Sequence, residues 1–241
     1  MRPRRYHPVR RYHPSVAFDP GSRSLLTRRN LGRFSGESLF CRVARAVCAA
    51  GCLPRKELFE SWEVARRVRR RVRGHRVVEL AAGHALVAHL LLLLDDSSGT
   101  ALVVDAKPVP SAPRLHEALA SRWPRLSGRI DHRIGDLARV PLDADDLLVS
   151  VHACGALSDV VIGRALEARA HLALLPCCHD ARTCDTGGLA GFLPFPLAVD
   201  ATRVARLRAA GYDVLTQTIP EEITPQNRLI LGRPRPDARR P

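Results

Sequence analysis

After Gly74 the sequence alternates short β-branched or leucine-rich runs with stretches of helical periodicity, and few architectures can absorb that alternation. The runs over Val77–Leu80, Ala101–Asp105, Ile130–Ile134, Leu147–His152, His171–Pro176, Val214–Ile219 and Arg228–Leu231 read as seven strands. Helices fit at Gly83–Leu94, Ala112–Ala120, Ala156–Ala170 and Ala198–Ala210, with a weaker one between the third and fourth strands. Strands that are apolar on both faces and separated by helices predict a parallel, doubly wound α/β sheet. Only Pro220 to Asn227 separates the last two runs, which leaves no room for a helix. They should form a hairpin that adds a final antiparallel strand at the sheet's end.

Upstream, apolar residues from Gly36 to Ala50 recur at helical spacing, and Gly51 with Pro54 ends the run. A second helix is predicted from Arg55 to Arg73, with Leu58, Trp62, Ala65, Val68 and Val72 on its apolar face. The organisation expected is a disordered basic arm over 1–22, a basic helical extension over 23–75, the sheet domain over 76–233 and a tail over 234–241. The arm carries a short repeat, Arg4-Arg5-Tyr6-His7-Pro8 and Arg10-Arg11-Tyr12-His13-Pro14, whose cations and tyrosines suit phosphate and base contacts.

Charge is segregated along the chain. Residues 1–78 hold 19 arginines and one lysine against five acids, whereas residues 79–241 hold 18 basic residues against 19 acids. A compositional bias would act evenly, so the uneven field points to a polyanionic partner, nucleic acid first, through the Arg-rich residues 1–76; a solvated face is the plain alternative. The apolar window Ala85–Leu94 is interrupted by His89 and is too short for a bilayer span, and the basic N-terminus is not followed by an apolar stretch. A cytoplasmic location and reduced cysteines are therefore expected. Cys41, Cys48 and Cys52 read better as buried apolar residues than as metal ligands, since no tight Cys-x-x-Cys pair occurs among them.

In a doubly wound sheet the ligand lies at the carboxyl ends of the strands, beside the first strand-to-helix turn. Here that turn is Glu79-Leu80-Ala81-Ala82-Gly83-His84-Ala85. The dinucleotide fingerprint would place glycines at 81, 83 and 86, where the chain has Ala81, Gly83 and Leu86, which argues against NAD. An acid ending the first strand, one central glycine and an acid ending the second strand at Asp105 resemble motifs I and II of the Rossmann-like class I S-adenosylmethionine (SAM) methyltransferases. The resemblance implies SAM as cofactor, with Glu79 facing its amino acid part, Asp105 its ribose hydroxyls and Asp136, after Gly135, its adenine. Ala81 and Gly83 would form the corner, and Ala81 and Ala85 depart from the family's glycines, narrowing the approach.

After the fourth strand comes His152-Ala153-Cys154-Gly155-Ala156-Leu157-Ser158-Asp159, and after the fifth Pro176-Cys177-Cys178-His179. This pair of motifs is similar to a subgroup that includes the tRNA ribose 2′-O-methyltransferases acting on the acceptor stem. Methyl transfer needs an aligned acceptor and a base, and His152 and His179 are the natural candidates, His152 also edging the cofactor. Cys154, Cys177 and Cys178 have three readings: packing residues, a nucleophile, for which Cys178 is the candidate, or zinc ligands with His152, His179 and Cys184. Packing leads, so no resident metal is expected. No Asp/Asn-Pro-Pro-aromatic run follows the fourth strand. Lys56, Lys107 and Glu221 are loose candidates for a hydroxyl-transfer set, and Ile223–Arg228 for an acceptor wall. The reading is a SAM-dependent methyltransferase acting on RNA, tRNA or rRNA; the alternatives are a small-molecule or protein methyltransferase, or a non-catalytic RNA-binding protein on the same fold.

Overall fold

A computed structural model describes residues 18–236. Residues 1–17, which hold the Tyr6 and Tyr12 repeat and most of the expected arm, and residues 237–241 of the tail lie outside the described residues. The elements run α1 (Leu39–Ala50), α2 (Arg55–Arg69), β1 (Arg76–Leu80), α3 (Leu86–Leu94), β2 (Ala101–Asp105), α4 (Ala112–Arg122), β3 (Ile130–Ile134), β4 (Asp146–Ser150), α5 (Leu157–Ala168), β5 (His171–Leu174), α6 (Phe195–Ala209), β6 (Tyr212–Thr218) and β7 (Arg228–Pro234).

The strands form one sheet in the order β3-β2-β1-β4-β5-β7-β6, with the first five parallel and β7 antiparallel to both of its neighbours. The seven-stranded, doubly wound architecture is the one expected. The antiparallel strand, however, inserts one place in from the edge, and β6 is the edge. Alternate strand residues feed two cores. Val77, Val103, Val149 and Ala173 face α1 to α4, while Val78, Leu102, Leu148 and Leu172 face α5 and α6. Val43, Val47, Leu58 and Val64 share the first core, so α1 and α2 lie on the sheet. Residues Leu86 to Leu93 of α3 are all buried between these layers. His89 among them is neutral, because burial pushes its pKa down to about 3.

Local rules explain the boundaries. Ser38 Oγ accepts the Cys41 N–H at 3.2 Å to cap α1, and Gly51, at φ 63°, ends it by donating to the Val47 carbonyl. Residues 18–22, counted with the arm by composition, are held against α2: Ser22 accepts the Lys56 N–H at 2.9 Å, and the Arg55 guanidinium stacks 3.6 Å from the centre of the Phe18 ring. The helix expected between β3 and β4 is only a 3-10 turn at Leu137–Arg139, because Pro141 removes a donor in a segment too short to wind further. The second helix stops at Arg69 rather than Arg73, four residues sooner, and Gly74 at φ 76° turns the chain into β1. No helix among the described residues is long and apolar enough to cross a membrane.

Candidate active site

The corner between β1 and α3 is built from residues that alternate into the left-handed region: Ala81 at φ 53°, Gly83 at 57° and Ala85 at 57°. Two alanines thus keep a backbone that suits glycine, at roughly 1 kcal/mol of strain each. Replacing Ala81, whose methyl borders the cavity, by Gly should raise stability by about 0.5–1 kcal/mol in chemical denaturation. Unchanged or lower stability would mean that the methyl's packing outweighs the backbone strain. Ala85 is fully buried, so the same exchange there would also forfeit packing.

The corner frames a cavity of about 300 Å³, within the range of small-ligand sites. Its walls include Glu79, Ala81, Ala82, Gly83 and His84, with Val109 from the loop after β2 and His152 from the end of β4. A side chain added at Gly83 would meet no protein atom within 4 Å, so the glycine leaves that wall open. The first-face register puts Glu79 beneath α3, 2% exposed, where its Oε2 accepts the Ala88 N–H at 2.7 Å. Burial pushes the Glu79 carboxyl up to about 8; the Ala88 N–H opposes this and Asp105 adds to it. Among the described residues no cation pairs with Glu79. Asp105, half-buried at the end of β2, is pushed up to about 6 by burial, against the N–H groups of Gly83 and Ala82 that its carboxylate receives. Both acids therefore stand at the corner, and a small cationic ligand with hydroxyls fits these acceptors.

Composition and motif matching miss the far wall of the cavity, which α2 supplies through Glu57 and Ser61. His84 closes one side: its Nε2 is 2.8 Å from Ser111 Oγ and its Nδ1 lies 3.9 Å from the Glu57 carboxylate. Near the end of β4, burial pushes the His152 pKa down, Glu60 opposes and Lys56 adds to the effect, which favours the neutral ring, the form a general base needs. Glu60 is itself buried, 1% exposed, and receives Lys56 Nζ at 2.7 Å.

The second motif braces the two loops at the ends of β4 and β5. Gly155, left-handed at φ 56°, donates its N–H to the Cys178 carbonyl at 3.0 Å, and Ser158 Oγ donates to the Ala153 carbonyl at 2.6 Å. Arg203 of α6, 2% exposed, donates to the Gly155 carbonyl at 2.9 Å and to Asp159 at 2.8 Å. His179 Nε2 sits 2.7 Å from Asp200, which Arg228 also reaches at 2.6 Å. Burial pushes the Asp200 carboxyl up, but the hydrogen bonds from His179 and Arg228 outweigh it and hold it below the ordinary range.

Of the site residues anticipated, Glu79, Ala81, Gly83 and His152 line the cavity and Asp105 supports its corner. His179, Cys178 and Asp136 do not line it. His179 is spent on Asp200, and Asp136 caps the 3-10 turn by accepting the Ala138 N–H at 2.9 Å. Cys154 and Cys178 are exposed, which removes core packing as their purpose; partial desolvation of the sulfurs raises the thiols of Cys154 and Cys177, which disfavours a thiolate nucleophile at either. Cys41, Cys48 and Cys52 are buried as expected. Lys107 and Glu221 are exposed and do not line the cavity, and neither does any residue of Ile223–Arg228, Ile223 and Thr224 being buried.

A family model described as a methyltransferase domain matches residues 57–184. The Drosophila melanogaster protein named glutathione S-transferase C-terminal domain-containing protein homolog is 25% identical over 203 aligned residues, covering 66% of this chain and 33% of that protein. The Drosophila pseudoobscura pseudoobscura protein of the same name is 26% identical, with equal coverage. The chain thus spans about a third (33%) of the length of these curated relatives. Among solved structures, an O-methyltransferase family protein from Burkholderia thailandensis superposes with a TM-score of 0.51 at 19% identity, covering 85% of this chain and 62% of that one. A Corynebacterium glutamicum protein superposes at 0.53 with 14% identity, covering 86% and 95%. These two share the fold. The matched span runs from α2 and the cavity through the loops after β4 and β5, and by it the chain belongs to the methyltransferase domain family, on a class I fold.

Proposed function

We infer that the protein transfers a methyl group from SAM to RNA. The observation that carries the cofactor is the buried Glu79 carboxylate, unpaired by any cation among the described residues and set in the wall of a cavity at a left-handed corner. SAM supplies a positively charged ammonium group at its amino acid end and an electrophilic methyl group on its sulfonium when bound. Glu79 would neutralise the positive end, Asp105 would accept from the ribose hydroxyls and the open face at Gly83 would admit the nucleoside. His152, neutral beside the cavity, would take the proton of an acceptor hydroxyl or amine, while the α2 wall excludes water.

The acceptor reading rests on charge. Glu63 pairs with Arg66 at 3.0 Å and with Arg67, and Arg76 pairs with Asp146 at 2.6 Å. Arg70, Arg71 and Arg73 are exposed with no carboxylate partner among the described residues. They follow the C-terminal end of α2, whereas Glu57 in its first turn and Ser61 one turn further on line the cavity. A helix of that length spans roughly 20 Å. An acceptor that uses both ends is an extended polyanion, which favours RNA over a small molecule.

Calorimetry with S-adenosylhomocysteine should show one site, weakened about tenfold or more in Asp105→Asn. Absence of binding to the intact protein ends the cofactor reading. RNA affinity should fall steeply with salt, and changing Arg70, Arg71 and Arg73 together to Gln should reduce the log–log slope by about 2. A flat salt dependence leaves a small-molecule or protein acceptor. RNA retention without methyl transfer from radiolabelled SAM leaves a binding protein.

A further inference from the structure

We propose that Cys154, Cys177 and Cys178 bind one zinc(II) ion through three thiolates, with the fourth position open to solvent. Their three sulfurs lie within 4.8 Å of one another, drawn from two loops that are 23 residues apart in sequence at Cys154 and Cys177. Adjacent side chains of an extended segment point to opposite sides, yet Cys177 and Cys178 both bring their sulfurs to Cys154. Convergence of this kind needs a cause. Core packing is not one, because Cys154 and Cys178 are exposed.

The scaffold around the sulfurs is built to hold the two loops together. The Gly155 N–H donates to the Cys178 carbonyl at 3.0 Å, and the buried Arg203 holds the Gly155 carbonyl at 2.9 Å. Both ties, one backbone to backbone and one from a side chain, hold the backbone beside ligand positions, so the loops keep their spacing without the metal. Tetrahedral zinc with sulfur at about 2.3 Å requires sulfurs about 3.8 Å apart. The Cys154 and Cys177 sulfurs are 2.8 Å apart and must separate by roughly 1 Å, which side-chain rotation at an exposed position allows. Three soft thiolates and no carboxylate select zinc over magnesium or calcium. On binding, each S–H bond breaks as an S–Zn bond forms, so up to three protons pass to buffer and no electron moves. The site does not use the cavity residues, so it stands or falls independently of the SAM reading.

The test uses the full chain with all thiols kept reduced and verified by thiol titration. Elemental analysis after zinc loading and desalting should give about one zinc per chain. Competition with a chromophoric chelator should show affinity reduced about a hundredfold or more in Cys154→Ser and in Cys178→Ser. Cys41→Ala, in the hydrophobic core, should keep the zinc. Cobalt(II) substitution should give a sulfur-to-metal charge-transfer band that both serine variants lose. Failure of the reduced protein to retain zinc overturns the proposal, as does full retention in both serine variants. A Cys154–Cys177 disulfide that persists under reductant also overturns it, because two of the three ligands would then be absent.

Discussion

Glu79→Gln is expected to weaken SAM binding by about tenfold or more while making the unliganded protein more stable at alkaline pH. Gln preserves the shape and an oxygen that can still accept the Ala88 N–H, so only the charge is lost. In the folded protein without ligand the carboxyl is raised to about 8 from an ordinary value of 4.5. The stability tied to its bound proton is present below the unfolded value and is lost as pH rises through about 8. Wild-type stability should therefore decline by a few kcal/mol between mildly acidic and alkaline pH, and the variant should escape most of that decline. SAM affinity has the opposite trend. A cationic ligand binds the ionised form, so wild-type affinity rises toward pH 8 and levels, whereas the variant loses that rise and keeps only the change through about 6 that Asp105 brings. Calorimetry and thermal denaturation across pH measure both. Equal affinity for the two proteins would mean that Glu79 only caps α3.

Arg203→Met should destabilise the fold by about 3–5 kcal/mol. The side chain is 2% exposed and holds Asp159 at 2.8 Å and the Gly155 carbonyl at 2.9 Å, with Asp200 3.5 Å away. Methionine fills similar volume but leaves a buried carbonyl without its donor and Asp159 without its cation. Asp200 keeps His179 and Arg228, so the damage should centre on the loops that follow β4 and β5. Asp159→Asn made in the Met background should recover part of the loss, since it removes the unpaired charge. Chemical denaturation of the single and double variants checks this. A loss under about 1 kcal/mol in Arg203→Met would show that water replaces the guanidinium at little cost.

The sheet was legible because its central strands β1, β2, β4 and β5 carry apolar runs and its breaks are marked by Gly74 and the Pro220–Asn227 turn. Glu79 and Asp105 were legible for a related reason: an acid ending an apolar run has few uses other than a ligand. Residues beyond a strand end were not. The paths of His179 and Cys178 are set by Asp200 and by the Gly155 tie, partners from distant segments that no local periodicity reveals. Glu57 and Ser61 reach the cavity from a helix that precedes β1, and the only trace in the sequence is a few acids amid its arginines. Asp136 stands where the motif leads one to look, yet its short side chain finds the nearest backbone N–H first.

The placement of α2 has a further consequence. If RNA is the acceptor, as proposed, the candidate chamber near its first turns and the exposed guanidinium groups just past its last make the helix a measuring rod. At about 3.4 Å per stacked residue, a strand touching both ends counts roughly six nucleotides between grip and modified position. On the RNA reading, that interval, more than any base identity, would choose which nucleotide of a folded transcript is presented for modification.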